Sequence, residues 1–229
     1  MTIHAPAAGV PPYVLISGPE SVLAERALAS TLEALRAREP DLEVIKLYSE
    51  GYQSGTLTTH ASPSLFGGTK AIVVLDLDEA PDDLQTDVLA YVAAPAGETT
   101  LIVTHKGGTR SRKVLDTLRK AGARVLEAPL IKSDGDKAQF VANEFRRQGR
   151  KATPGAVRAL VQAVGKDLRE LTAACAQLVA DTEGLVDEAL ARRWPRPLEA
   201  SPAAMPMPAP FSNSRREMTR LVAASSSAA

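Results

Sequence analysis

The stretch SPSLFGGTKAIVVLDLDE, Ser62 to Glu79, decides the fold. Its second half, KAIVVLDL (Lys70–Leu77), is a continuous apolar run and not an alternating one. A strand with one wet face alternates, whereas a strand covered on both faces does not. The run therefore predicts an interior strand of a parallel sheet. Just before it, Leu65 and Phe66 stand together in a Gly/Ser/Pro-rich loop, a place where side chains are ordinarily polar because loops face water. Two readings fit the pair. It is a staple onto the sheet edge, or it is a plug, turned outward by Gly67-Gly68, for a hydrophobic pocket on another protein. The residues alone leave both open.

The same character recurs outward from this strand. YVLIS (Tyr13–Ser17), EVIKLY (Glu43–Tyr48), TTLIVTH (Thr99–His105) and ARVLEA (Ala123–Ala128) are further short apolar runs. Between them lie helical patterns: Glu20–Arg38 with Leu28, Leu32 and Leu35 at helical spacing, a weak helix over Gly55–Ala61, a helix from Pro81 to about Ala93, and a basic helix over Arg110–Lys120 ended by Gly122. Strands alternating with helices predict an α/β domain over residues 12–131, a doubly wound parallel five-stranded sheet with helices on alternate sides because crossovers are right-handed. The rhythm then changes. Asp136–Gln148, Pro154–Val164 and Asp167–Ala180 are three helices without strands. Apolar faces formed by Val157, Leu160, Val161 and Val164 and by Leu168, Leu171, Cys175 and Leu178 must pack together. A small three-helix domain over 132–190 is expected. Residues 1–11 read as a loose leader. Residues 191–229 hold six of the sixteen prolines within 195–210, show little periodicity, and are expected to be disordered.

The 229 residues carry a formal net charge of zero, so no global field draws the chain to nucleic acid or membrane. One cysteine cannot make an intramolecular disulfide, and no run has the length of a membrane span or the form of a signal peptide. A cytoplasmic protein with no membrane partner is the reading.

Candidate chemistry is thin. The first strand–turn–helix is where GxxxxGK[ST] would cradle phosphates, but SGPESVLAERA offers only Gly18. The Lys and Ser/Thr are missing, Pro19 removes a backbone donor and Glu25 would repel phosphate. The phosphate loop is therefore not a working one, and no cofactor is expected. Asp76, Asp78 and Glu79 form an acidic strand end with no phosphate loop to serve. His4, His60 and His105 lack metal spacing, and His105 reads as a loop histidine. Cys175 sits on an apolar helix face and reads as core. Lys106, Arg110, Arg112 and Lys113 form a basic group that could touch DNA or a partner, although residues 1–128 are net acidic, with 12 basic against 16 acidic side chains.

In order, the degenerate phosphate-loop position, SPSLFGGTKAIVVLD, TTLIVTHKGG and VGKDLRELTAACAQLVAD resemble the delta subunits of bacterial DNA polymerase III, the clamp-loader subunits that open the sliding clamp. The resemblance spans about residues 12–188. It implies an AAA+-like α/β domain that binds no nucleotide, then a lid domain and a helical collar. It implies a non-catalytic member of the DNA-directed DNA polymerase (nucleotidyltransferase) holoenzyme, acting in DNA replication. Its partners would be the sliding clamp (beta subunit), the other loader subunits through the collar, and primed DNA indirectly. Carried over by position, Leu65 and Phe66 enter the clamp's pocket and Ser64 shapes the turn. From Trp194 onward the chain departs from this pattern, and a frame truncated or shifted near residues 188–194 is expected. The alternatives are a divergent P-loop-type ATPase and a truncated clamp-binding fragment that cannot assemble into a loader.

Overall fold

A computed structural model describes residues 11–63, 68–95, 98–165 and 167–193. Five strands, β1 (Tyr13–Ser17), β2 (Glu43–Leu47), β3 (Lys70–Val74), β4 (Thr99–His105) and β5 (Arg124–Glu127), pair in parallel in the order β2-β3-β4-β1-β5. Both faces of the inner strands are buried, which is why their sequences do not alternate in polarity. Tyr13, Leu15, Ile72, Val74, Leu101 and Val103 point to one face. Val14, Ile16, Ala71, Val73 and Ile102 point to the other.

Helices α1 (Ser21–Arg36), α2 (Thr56–Ala61), α3 (Asp82–Ala93) and α4 (Arg112–Lys120) cover the sheet, but they do not alternate sides. Leu32 and Leu35 of α1, with Leu42 just beyond it, cover one face. Leu57 of α2, Leu84 and Val88 of α3 and Leu118 of α4 share the other. The cause is the direction of travel. The chain passes from β1 to the far edge at β2, then returns through β3 and β4 and crosses β1 to reach β5. Right-handed crossovers taken in opposite directions put their helices on opposite faces. Both faces are wound, as expected, with the helices distributed one against three.

Element ends also differ from the sequence reading. β3 stops at Val74, short of Leu77, because Asp76 adopts a left-handed conformation (φ +50°). Its N–H donates to Thr104 Oγ1 at 2.9 Å, and Leu77 turns into the core as the first residue of a 3-10 turn, Leu77–Glu79. Tyr48, assigned above to the second strand, lies beyond β2 and is exposed.

Beyond β5 the chain is helical: α5 (Asp134–Arg147), α6 (Pro154–Val164), α7 (Leu168–Asp181) and α8 (Glu188–Arg192). Each start is capped by a side-chain oxygen that accepts backbone N–H groups. Ser133 accepts from Asp136, Thr153 from Ala156, Asp167 from Arg169 and Glu170, and Asp187 from Leu190. Phe140, Phe145, Leu160, Leu171 and Cys175 form the centre of a core separate from those of the sheet, and Val22 of α1 belongs to it. Arg150 gathers the loose end of α7, donating to the carbonyls of Val179, Thr182 and Gly184 at 2.6–3.1 Å. The expected three helices are joined by a fourth, α8, which buries Ala191. Ala191–Arg193, assigned above to the tail, therefore finish this region, and the rest of the tail lies outside the described residues, as do residues 1–10 of the leader. Among the described residues no helix is long and apolar enough to cross a membrane.

Cys175 is fully buried, and burial, followed by the nearby Glu144, pushes its thiol up to about 12 from an ordinary 9.0. In the unfolded chain the thiol ionises first. Its contribution to stability is therefore intact below pH 9 and is lost progressively as pH rises toward 12. Native protein at pH 8 should resist a thiol reagent that modifies the urea-unfolded chain at once. Urea melts at pH 8 and pH 10 should show a smaller pH dependence for Cys175→Ala than for the parent; equal slopes would contradict the assignment.

Candidate functional site

In a doubly wound sheet the natural ligand crevice lies outside the carboxyl ends of the strands, where the winding direction reverses. Here that point falls between β1 and β4. A cavity of about 340 Å³ occupies it, lined by Gly18, Ser21, Glu25, Lys46, Asp76 and His105 among others. The turn after β1 that borders it is already committed. Gly18 N–H donates to His105 O at 2.9 Å, Pro19 has no N–H, and Glu20 N–H donates to Ala128 O at 3.1 Å. Gly18 holds φ +146°, and a Cβ there would fall 2.0 Å from Ala128 O, so only glycine lets this turn reach the end of β5. Its glycine serves strand packing, and these three residues have no spare donor for a phosphate. Glu25, on the first turns of α1, is paired with Arg169 at 2.7 Å across the rim.

The acidic strand end is tied to the segment after β4. Lys106 Nζ lies 2.6 Å from Glu79 and 3.6 Å from Asp76, and its backbone N–H donates to Asp78 at 2.9 Å. The hydrogen bond to Glu79 holds the ammonium's pKa above its ordinary value. Arg110 donates to Ala80 O at 3.2 Å and Ser111 Oγ to Leu77 O at 2.9 Å. His105 is a buried strand residue, not a loop histidine. Its Nδ1 accepts from Gly107 N–H at 2.9 Å, so the ring proton sits on Nε2 and is donated to Arg110 O at 3.1 Å. All four basic candidates are exposed, but they are engaged differently. Lys106 and Arg110 brace the 76–80 turn, whereas Arg112 and Lys113 lie on α4, with Arg112 at 3.9 Å from Asp116. Among the described residues no group of three or more His, Cys, Asp or Glu is placed to hold a metal ion.

Ser64, Leu65 and Phe66 lie outside the described residues. The described residues on either side are held firmly. Lys70, at the start of β3, donates from Nζ to His60 O and Ser62 O, both at 3.0 Å, and so closes the C-terminal end of α2. The other end is fixed by Asp87, buried on α3. Its Oδ2 accepts from Tyr52 Oη and from Gly55 N–H, both at 2.6 Å, and Tyr52 Oη accepts in turn from Leu57 N–H at 3.0 Å. Burial, and then the Asp87 carboxylate, push the Tyr52 phenol far above its ordinary value, so it remains a donor. The short helix α2 is thereby clamped between β3 and α3. Neither Lys70 nor Asp87 stands out in the sequence. Lys70 resembles any polar strand start, and Asp87 any charge on an exposed helix.

No family model matches this chain, and no curated protein matches it. Solved structures do. The chain is similar to the Bacillus subtilis DNA clamp loader delta protein at a TM-score of 0.55 and 16% identity, over 80% of this chain and 57% of that one. It is also similar to the Thermotoga maritima RuvB Holliday junction branch migration motor at a TM-score of 0.51 and 10% identity, over 78% of this chain and 59% of that one. The fold is AAA+-like α/β. The chain spans less than two thirds of the length of either structure, and at these identities the likeness is one of fold.

Lys70→Met should leave two helix-terminal carbonyls without their cationic donor. We expect a loss of about 1 kcal/mol of stability, the scale of one net charge-assisted bond at a partly exposed site, with faster amide hydrogen exchange confined to residues 56–62. Unchanged exchange there would show that α2 does not depend on Lys70.

Proposed function

We propose that this chain is a non-catalytic clamp-binding and clamp-opening subunit of the delta type, acting in DNA replication in the cytoplasm. Leu65 and Phe66 insert into a hydrophobic pocket on the sliding clamp (beta subunit), with Ser64 shaping the turn that presents them. The observation that carries this reading is the committed turn after β1. Its donors are bound to β4 and β5, its glycine is needed for contact with Ala128, and Glu25 is paired beside it. A fold of this type whose turn after β1 lacks the phosphate Lys and has Gly18 and Glu20 N–H tied to neighbouring strands fits a binding subunit better than a P-loop-type ATPase. The fold likeness to a clamp loader delta protein and the firm anchoring of α2 beside the Leu65-Phe66 segment support the same choice.

The mechanism needs no bond to be made or broken. A subunit that binds the clamp more tightly when one ring interface is distorted shifts the ring toward the open state by that difference in affinity. Hydrolysis belongs to the other loader subunits in this proposal, and primed DNA is reached through the assembly. Lys106, Arg110, Arg112 and Lys113 are the exposed basic group proposed to face DNA or a partner.

Leu65→Ala with Phe66→Ala should abolish binding to immobilised clamp, since each hot-spot truncation costs about 2 kcal/mol or more, while the urea midpoint stays where it was. Binding at parental affinity would refute the plug, and a collapsed midpoint would establish the staple. Titration with Mg-ATP should give no binding isotherm; micromolar affinity would favour the ATPase.

A further inference from the structure

Arg26 of α1 reaches out of the sheet layer and into the helical region. Its Nη2 donates to Glu144 Oε2 at 2.6 Å and to Thr172 Oγ1 at 3.1 Å, and its guanidinium lies over the Phe140 ring, 4.8 Å from the centroid. Glu144 and Phe140 are one turn apart on α5, and Thr172 is on α7. Thr172 gives its own proton to Leu168 O at 2.8 Å, which leaves its oxygen lone pairs to accept from Arg26. One planar side chain thus touches two helices at three points, and the two N–H bonds of Nη2, fixed in the guanidinium plane above the Phe140 ring, set direction as well as distance. Beside it, Val22 is buried in the helical core and Leu23 packs against it.

We infer that Arg26 is a built-in brace that sets the orientation of the helical region against the sheet, without any ligand in the crevice. Glu144 is only 5% exposed and its Oε1 has no hydrogen-bond partner, with Arg147 at 3.7 Å. A buried carboxylate in that condition depends on the cation that faces it, and removing that cation strands the charge. The neighbouring Glu25–Arg169 pair also crosses between the regions and is bidentate, Nη1 at 3.3 Å and Nη2 at 2.7 Å, but both side chains are more than half exposed and screened by water. Solvent-exposed pairs hold geometry weakly. Among the polar contacts that cross between the regions, orientation therefore rests on the more buried one, at Arg26. This inference does not depend on clamp binding and stands or falls separately.

The test uses the full chain with cysteines introduced at exposed Lys120 and Ala176 for spin labelling, buried Cys175 remaining unlabelled. Distance distributions are read by double electron–electron resonance, and unfolding by urea. We expect one narrow distance for the parent, unchanged by Mg-ATP. Arg26→Met should broaden it into more than one population and split the single unfolding transition in two. Arg26→Lys should also broaden it, because charge is kept but the planar group and its stack on Phe140 are lost. Arg26→Met with Glu144→Leu removes the stranded charge, so it should regain the urea midpoint without regaining the narrow distance. The inference is overturned if Arg26→Met keeps the parental distribution, or if the double variant restores it, since the pair would then affect stability alone.

Discussion

Everything in this molecule leans on α1. The reversal of winding direction after β2 leaves α1 alone on one face of the sheet, while three helices share the other. Leu32 and Leu35, with Leu42 just beyond the helix, must therefore cover Val14, Ile16, Val73 and Ile102, helped by partly buried neighbours such as Leu28. The same helix supplies Val22 to the core of the helical region and Arg26 to its polar contact. A helix buried on two sides against two different cores cannot shift without disturbing both, because packed interiors transmit displacement instead of absorbing it.

This double duty explains what happened to the crevice. In a doubly wound fold the first turn of the helix after β1 is where an anion would meet free backbone donors. Here the approach to that turn is tied down by main-chain bonds to β4 and β5, and its outer face meets Arg169. The opposite rim is closed in a similar way: Lys106, Arg110 and Ser111 hold the turn after β3 to the end of β4. Polar groups that could have addressed a ligand are engaged with one another. The crevice is shaped like a binding site, but its inventory of side chains serves to hold loops together.

Much of this was legible in the residues and some was not. The strands were, because burial on both faces leaves an apolar run that no loop would carry, and the runs at Tyr13–Ser17 and Thr99–His105 match β1 and β4 at both ends. The loss of the phosphate Lys was legible as a plain absence in SGPESVLAERA. Strand order was not, so neither was the unequal covering of the faces, since nothing local records that β2 is the far edge. The end of β3 misled because VLDL keeps an apolar rhythm through Asp76, whereas the structure uses that aspartate in a left-handed turn to send Leu77 inward. Helix α8 was missed although Asp187 ahead of EALAR is an ordinary cap, because five residues are too few for periodicity to appear. Arg26, Lys70, Asp87 and Arg150 were invisible for a shared reason. Each acts on a backbone or side chain brought close by the fold, and a charged residue awaiting such a partner looks like any solvated one.

The proposed function also makes sense of why so much of the structure is devoted to fixing positions. A ring moved from almost wholly closed to almost wholly open requires a difference in binding free energy of about 5.5 kcal/mol between the two states. Two buried hot-spot side chains at about 2 kcal/mol or more each contribute to that difference only to the extent that they seat in one state and not in the other. Yet ordering a loop costs about 1–2 kcal/mol for each residue fixed, so a plug of four or five residues on a slack base would lose its advantage in becoming ordered. Lys70 and Asp87 anchor α2 before any partner arrives, which reduces the ordering left to be done at the moment of binding. In the proposed role, the Arg26 contacts to α5 and α7 would do the same for the larger body behind it, so that strain would pass to the ring and not into a hinge. For a subunit that works by grip and makes no use of hydrolysis, rigidity at the base of the gripping segment is what turns affinity into displacement.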